Sequence, residues 1–372
     1  MRVALFTRYG MKGASSRVRS LQFLPWLRAQ GVEVEPFPLL DDGYLEALYT
    51  RGRRPLGSLV TAYIRRVRQL RHVSRATGAG AFHLTWVEKE LLPWLPFAWE
   101  NRLLGNEIPV VADYDDAIFH QYDQSPRALV RLVLADKIDR IMAHARVVTV
   151  GNEYLAGRAR DAGARQVEVL PSVVPMERYP EPVESSPTKA GSPADSAGDP
   201  FVLGWIGTPI TARYLRDIAP VLAEVTESHG VSLRTVGSGP LDLPGVSVDV
   251  RPWTLEDEGA EVAGFHAGIM PLRDGPWERG KCGYKLVQYM AAGRPVVASS
   301  VGAARDIVVD GETGFLVRGP GEWARSIRWL VEHPDEARVM GMKARERARA
   351  LYSVEAVAPH LLRIFQEAIQ AA

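Results

Sequence analysis

Short, mostly apolar runs punctuate the chain, at residues 3–7, 109–112, 147–150, 201–206, 268–270 and 295–298, with further runs broken by polar residues at 81–86, 167–171 and 232–236. Runs of this length fit strands of a parallel sheet that is covered on both faces. Residues 32–37 alternate Val32 and Val34 with Glu33 and Glu35, which predicts a further strand. Between the runs, apolar residues recur three and four apart. This predicts helices from the Ser15–Ser16 region through about residue 30, over 59–73, 153–162 and 284–292, from about 212, and from about 353 to the end. The helix over 284–292 carries Leu286, Tyr289 and Met290 on one stripe and stops at Gly293. Strand, glycine loop, helix and strand in succession form the unit of a doubly wound α/β fold, and 268–317 shows it most clearly.

Candidate chemistry sits in the loops after strands. Gly280 and Gly283 precede the 284–292 helix and permit close backbone approach, while Lys281 and Lys285 add positive charge at its N-terminus. Lysines there oppose the helix dipole, which fits an anion at that position; the other reading is a solvated lysine pair. The strand 109–112 runs into Asp113, Asp115 and Asp116. Crowded carboxylates repel, so one of them is expected to hold a raised pKa suited to proton transfer. A metal-binding DxD and an Asp116 helix cap are the rival readings. At the start of the chain a loop leads into the first helix, where Ser15 or Ser16 is the cap and Arg17 faces the loop. The glycine spacing there is not the dinucleotide fingerprint. His83 lies on the strand 81–86, as a ligand or as an interior histidine.

A chain of 372 residues predicts two domains. Its net charge of +1 argues against bulk nucleic-acid binding. The single cysteine, Cys282, excludes a disulfide framework; it reads as a small residue more readily than as a nucleophile. No signal peptide and no membrane-spanning run are expected, which predicts a cytoplasmic protein. From residue 47 to 87 there is no acid, and Arg51, Arg53, Arg54, Arg65, Arg66, Arg68, Arg71 and Arg75 fall in that stretch. With Leu59, Val60, Tyr63, Ile64, Val67, Leu70 and Val73 as its apolar stripe, the helix packs on the sheet, meets an anionic membrane at the inner face, or binds a phosphorylated acceptor. Residues 179–200, rich in Pro, Ser, Ala and Gly, predict a flexible linker.

KLVQYMAAGRPVVAS, followed by DGETGFLV, resembles the donor-binding half of retaining glycosyltransferases of the GT-B fold, family-four type (glycosyl transferases group 1). Such enzymes commonly carry two glutamates before this block. Here the second falls on Gln288 and the first on Gly280, with Glu278 two residues away. The GKCGYKLVQYMAAG form resembles a sub-branch of the same superfamily. The resemblance implies two Rossmann-like domains facing an interdomain cleft: 1–178 an acceptor domain, 201–352 a nucleotide-sugar donor domain, and 353–372 a helix crossing back to the first.

It also implies a transferase (EC 2.4), retaining and metal-independent, in glycan, glycolipid or glycosylated-metabolite biosynthesis. No cofactor is expected beyond a nucleotide-diphosphate sugar as co-substrate; the acceptor is unknown. By resemblance Arg213, Thr208, Lys281, Gly283 and Lys285 hold the donor diphosphate, with Gly207 matching the family's glycine. Gln288 bonds the ribose, Gly237 and Trp253 lie at the nucleotide, and Glu278 contacts the sugar. Asp115, at a position where relatives place a histidine, or Asp116 orients the acceptor hydroxyl, and Arg17, Ser16, Asp113 and His83 line the acceptor side. The alternatives are a GT-B sugar epimerase and a catalytically silent nucleotide-sugar-binding scaffold.

Overall fold

The computed structural model describes residues 1–41, 43–44, 56–76, 78–105, 107–181 and 200–370. Most of the predicted linker, residues 182–199, and Arg51, Arg53 and Arg54 lie outside that set. The chain divides into two compact units. Unit 1 comprises Met1–Val173, Arg279–Cys282 and Val354–Ala372; unit 2 comprises Val174–Glu278 and Gly283–Ser353.

Unit 1 holds a parallel sheet of β1 (Arg2–Thr7), β2 (Glu33–Pro38), β3 (Leu84–Glu88), β4 (Val110–Tyr114), β5 (Val147–Val150) and β6 (Val167–Val169). Their order is β2-β1-β3-β4-β5-β6. β2 carries Pro36 and Pro38, which lack an N–H, and accordingly takes an edge. Val3, Leu5, Trp86, Val111 and Val147 pack with Leu361, Ile364 and Phe365 of the last helix, Val354–Gln370. The Trp86 and Phe365 rings meet edge to face at 5.1 Å.

Unit 2 holds β7 (Val202–Ile206), β8 (Ser232–Val236), β9 (Val248–Arg251), β10 (Ala267–Met270), β11 (Val296–Ser299) and β12 (Gly314–Val317), in the order β12-β11-β10-β7-β8-β9. Val296 and Ala298 enter one core, with Tyr289 and Met290; Val297 enters another, with Trp205 and Ile269. Both faces are therefore covered, which is why the strand reads as an unbroken apolar run.

Three sequence expectations change. The first predicted helix is broken into Ala14–Arg19, a 3-10 turn Leu21–Phe23, and Leu24–Ala29. Pro25 at the start of the second piece cannot continue a helix from upstream. The arginine-rich helix spans Leu56–Arg75, but its predicted stripe divides: Leu70 and Val73 are buried, while Val60 and Ile64 face solvent. Arg66 takes an inward position instead, donating to Thr7 O at 2.7 Å and lying over the Phe6 ring. Finally, Arg279–Cys282 lie inside the range predicted for the second domain yet pack with unit 1. Among the described residues no helix is long and apolar enough to cross a membrane.

Candidate functional site

In an open parallel sheet, ligands gather beyond the carboxyl ends of the strands where the strand order reverses. In unit 1 that point lies between β1 and β3. The Ser16 hydroxyl, on the helix after β1, donates to Glu88 Oε2, at the end of β3, across 2.5 Å. The same carboxylate oxygen accepts the Arg8 amide. Ser15 donates to Asp115 Oδ2 and accepts from the Lys89 ammonium at 2.8 Å. Lys89 also pairs with Asp115 at 2.8 Å and lies 3.9 Å from Asp116. Its backbone is left-handed, φ 64°, a conformation that costs a side-chain-bearing residue about 1–2 kcal/mol. This turn aims the ammonium at the acids instead of continuing the strand.

Each acid of the 113–116 run has its own cation, which overturns the expectation of a crowded, protonated carboxyl there. Arg19 grips Asp113 with two bonds of 2.9 and 2.6 Å, and Thr149 donates to it at 2.6 Å. Asp113 is thereby enclosed in the interior, not presented to an acceptor. Burial works against the charge of Asp115, but Lys89, Ser15 and Arg19 outweigh it and hold its pKa at about 2. Asp116 is paired with Lys281 at 3.3 Å.

In this cluster the raised carboxyl pKa belongs to Glu88, pushed up by burial, and its Oε1 has no hydrogen-bond partner among the described residues. The sequence expectation ended this strand at 86, two residues short. Its true end, VEKE at the carboxyl edge, was the signal for Glu88 and Lys89.

Arg17 is buried, with Nη1 donating to Met11 O. His83 is not in this cluster. It precedes β3 at the opposite end of the sheet, where Nδ1 accepts the Arg2 amide. Five residues of strand at ~3.3 Å each separate it from Glu88.

Residues 279–282 close onto this cluster. Asn152 donates to the carbonyls of Arg279 and Lys281. Cys282 Sγ donates to Asp115 O at 2.9 Å, and burial pushes its thiol pKa well up, so it is not a poised nucleophile. Lys281, expected at a donor diphosphate, instead has its ammonium on Asp116 in unit 1.

In unit 2 the strand order reverses between β7 and β10, and Gly207 follows β7. A β-carbon on Gly207 would lie 2.4 Å from Lys285 Nζ and 2.6 Å from the Trp205 ring. The Lys285 ammonium sits 4.6 Å over that ring. Gly237, φ 78°, follows β8, and a β-carbon there would meet Gly207 O at 2.4 Å and Trp253 Cβ at 3.0 Å. Gly207, Gly237, Trp253 and Lys285 thus converge, and only glycine fits at the first two positions. Thr208 and Thr211 close the turn after Gly207, the Thr208 amide bonding Thr211 Oγ1. Gly283 is the N-cap of the helix Tyr284–Ala291, on which Lys285 stands.

Gln288 and Trp253 prove to be linked. Gln288 Nε2 donates to the Tyr179 hydroxyl at 3.1 Å, and Tyr179 donates to Glu258 Oε1 at 3.1 Å. Trp253 Nε1 donates to Glu258 Oε2 at 2.8 Å. The sequence reading puts Tyr179 at the start of the flexible linker, but its side chain is buried in the unit 2 core, and Glu258 is missed because it belongs to no motif.

A third group joins Glu278 to Arg213. The Tyr214 hydroxyl donates to Glu278 Oε1 at 2.6 Å and accepts from Arg213 Nη2 at 2.9 Å; the guanidinium lies 3.7 Å from the carboxylate. Among the described residues no group of acids, histidines and cysteine has metal-holding geometry.

Residues 201–333 match the family model of the glycosyl transferases group 1. A segment of 67 residues is 42% identical to trehalose synthase of Pyrococcus horikoshii; it makes up 18% of this chain and 16% of that one, so the chain spans less than a fifth of that relative's length. Over the whole chain the fold matches sucrose-phosphate synthase from Thermosynechococcus elongatus (TM-score 0.71, 18% identity, 100% of both chains). It also matches HepE from Anabaena in complex with UDP-glucose (TM-score 0.69, 17% identity, 99% of this chain and 100% of that one).

Proposed function

Because the chain has the GT-B fold and its residues 201–333 form a glycosyl transferases group 1 domain, we propose that it transfers a sugar from a nucleotide-diphosphate sugar to an acceptor hydroxyl. The observation that carries this reading is the convergence of Gly207, Gly237, Trp253 and Lys285 at the strand-order reversal of unit 2. Two glycine turns let backbone approach a diphosphate closely, and the lysine supplies charge. Arg213, 56% exposed at its side chain, is placed to exchange Glu278 for a phosphate oxygen. As diphosphate departs, Arg213, Lys285 and the helix N-terminus at Gly283 stabilise its negative charge.

Gln288 bonds the ribose while Tyr179 fixes its amide, and Glu258 holds Trp253 beside the base. Glu278 contacts the sugar. In unit 1, Asp115 and Asp116 orient the acceptor hydroxyl by accepting its hydrogen bond. The low pKa of Asp115 makes it a poor general base, so the acceptor proton passes to the donor phosphate, as retention without a side-chain base requires. Cationic groups take the place of a metal.

A catalytically silent nucleotide-sugar-binding protein is the second reading, favoured by one contact: Gly280 lies against Ala117, leaving no room for a glutamate side chain at the family's first position. Incubation with nucleotide sugars separates the two. Slow release of nucleoside diphosphate supports the transferase; tight binding without any turnover, with or without acceptors, supports the silent protein.

A further inference from the structure

A guanidinium in a protein interior is normally paired with a carboxylate or held by several acceptors, because an unpaired buried charge is costly. Two arginines at the carboxyl end of β1 are not held in this way. Arg66, on the helix Leu56–Arg75, is 1% exposed. Its Nη2 donates to Thr7 O and its guanidinium carbon lies 4.8 Å over the Phe6 ring, but Nε and Nη1 have no partner among the described residues. Arg8 follows Thr7 directly. Its amide bonds Glu88, yet its Nε is buried without a partner. Neither guanidinium forms an ion pair among the described residues. Both act on the Tyr63 hydroxyl and both feel Glu88, so they belong to one cluster.

The nearby acids do not supply the missing charge. Glu90 and Glu100 share Lys137, at 2.7 and 2.8 Å. Burial raises the pKa of Glu88, which weakens it as a counter-ion. Burial lowers the Arg66 guanidinium to about 9, more than Glu100 and Glu88 raise it. Arg65 adds a further cation beside Arg66; its Nη2 donates to Leu39 O, and its Nε is also buried and unpartnered. An anion with several oxygens fits such a cluster. A phosphate monoester offers three terminal oxygens to the N–H forks of two guanidiniums, where a carboxylate offers two. Arg8, Arg65 and Tyr63 are partly exposed, so a ligand reaches the cluster from solvent.

We propose that Arg8 and Arg66 form a binding site in unit 1 for a phosphate group, carried by a small phosphorylated molecule or present as free phosphate. The site adjoins Glu88 and, through Ser16 and Ser15, Asp115. A phosphorylated molecule held there is the acceptor class of the transferase, a step that rests on that reading. Phosphate binding itself needs no donor, so its failure leaves the transferase reading standing, and failure of nucleotide binding leaves this site standing.

The test is thermal unfolding of the full chain in inorganic phosphate against chloride at matched ionic strength, and in glucose 6-phosphate against glucose. The expected result is stabilisation by phosphate and none by chloride or glucose. Greater stabilisation by the ester identifies a phosphorylated molecule as the ligand; equal or greater stabilisation by inorganic phosphate identifies free phosphate. Arg8→Gln and Arg66→Met bind about tenfold or more weakly, the loss of a charged hydrogen-bonded contact, while Arg213→Ala in unit 2 responds to phosphate as wild type does. In chloride, Arg66→Met melts no lower than wild type, since it removes a buried charge that lacks a partner and Thr7 O keeps the Leu39 amide. A purely structural arginine would give the opposite. Absence of stabilisation by either phosphate, an undiminished response in Arg8→Gln, a response lost in Arg213→Ala alone, or a lower melting point of Arg66→Met in chloride would overturn the proposal.

Discussion

Gly280 lies so close to Ala117 that a β-carbon on it would stand 2.5 Å from the alanine β-carbon and 2.7 Å from its backbone nitrogen. Real β-carbons do not approach so closely, so no side chain fits at 280 without moving the backbone after β4. The glycine is therefore a packing requirement of unit 1, where the sequence pattern alone presents it as a missing glutamate. Gly280→Ala should destabilise the protein by about 1–3 kcal/mol, the usual range for overpacking, read as a lower urea midpoint. A variant as stable as wild type would show that this contact does not exist in solution.

Asp115 provides a pH-dependent prediction. Its pKa is held at about 2, below the ~3.9 of an unfolded chain, so its ionised form favours the folded state. That contribution, ~2 kcal/mol, is fully present above about pH 4 and is lost as pH falls through about 2. The stability difference between wild type and Asp115→Asn should therefore shrink on acidification through that window. A constant difference would contradict the Lys89 pairing.

Glu88 behaves oppositely. Its pKa is raised by burial, so ionisation opposes folding as pH rises above the unfolded value. Glu88→Gln keeps an oxygen for Ser16 and the Arg8 amide, and should equal or exceed wild type in stability at neutral pH, the gain vanishing in acid. A loss of stability at neutral pH would mean that Glu88 is ionised and paired.

The Gln288–Tyr179–Glu258 chain predicts a structural effect separate from ligand binding. Tyr179→Phe leaves Glu258 Oε1 without its donor and frees the Gln288 amide. A cost of about 1–3 kcal/mol is expected, together with weaker nucleotide binding. Unchanged stability would place the hydroxyl outside the network.

The strands were legible in the sequence because sheets buried on both faces leave continuous apolar runs, as at 201–206 and 295–298. The glycine turns at 207 and 237 were legible for a local reason as well. Partnerships were not. Arg19, on the helix after β1, reaches Asp113 of β4, and Lys89, after β3, reaches Asp115, after β4, only because β1, β3 and β4 lie side by side, and strand order leaves no local trace. The stripe of the arginine-rich helix failed similarly: Val60 and Leu70 share a period, but only the packed position shows that one faces solvent. Nor could composition show that 279–282 turn back into unit 1, since Gly280 and Cys282 carry no mark of what they touch.

The central claim is a nucleotide-diphosphate sugar site on unit 2. Its most direct test is thermal unfolding, without metal, in the presence of UDP, GDP, ADP, dTDP or CMP and their sugar conjugates, for wild type and Arg213→Ala. The account predicts that one nucleotide class stabilises the wild type, by about 2.7 kcal/mol at a hundredfold excess over its Kd, and that Arg213→Ala binds it at least about tenfold more weakly. No stabilisation by any of them, or an equal response from Arg213→Ala, would contradict it.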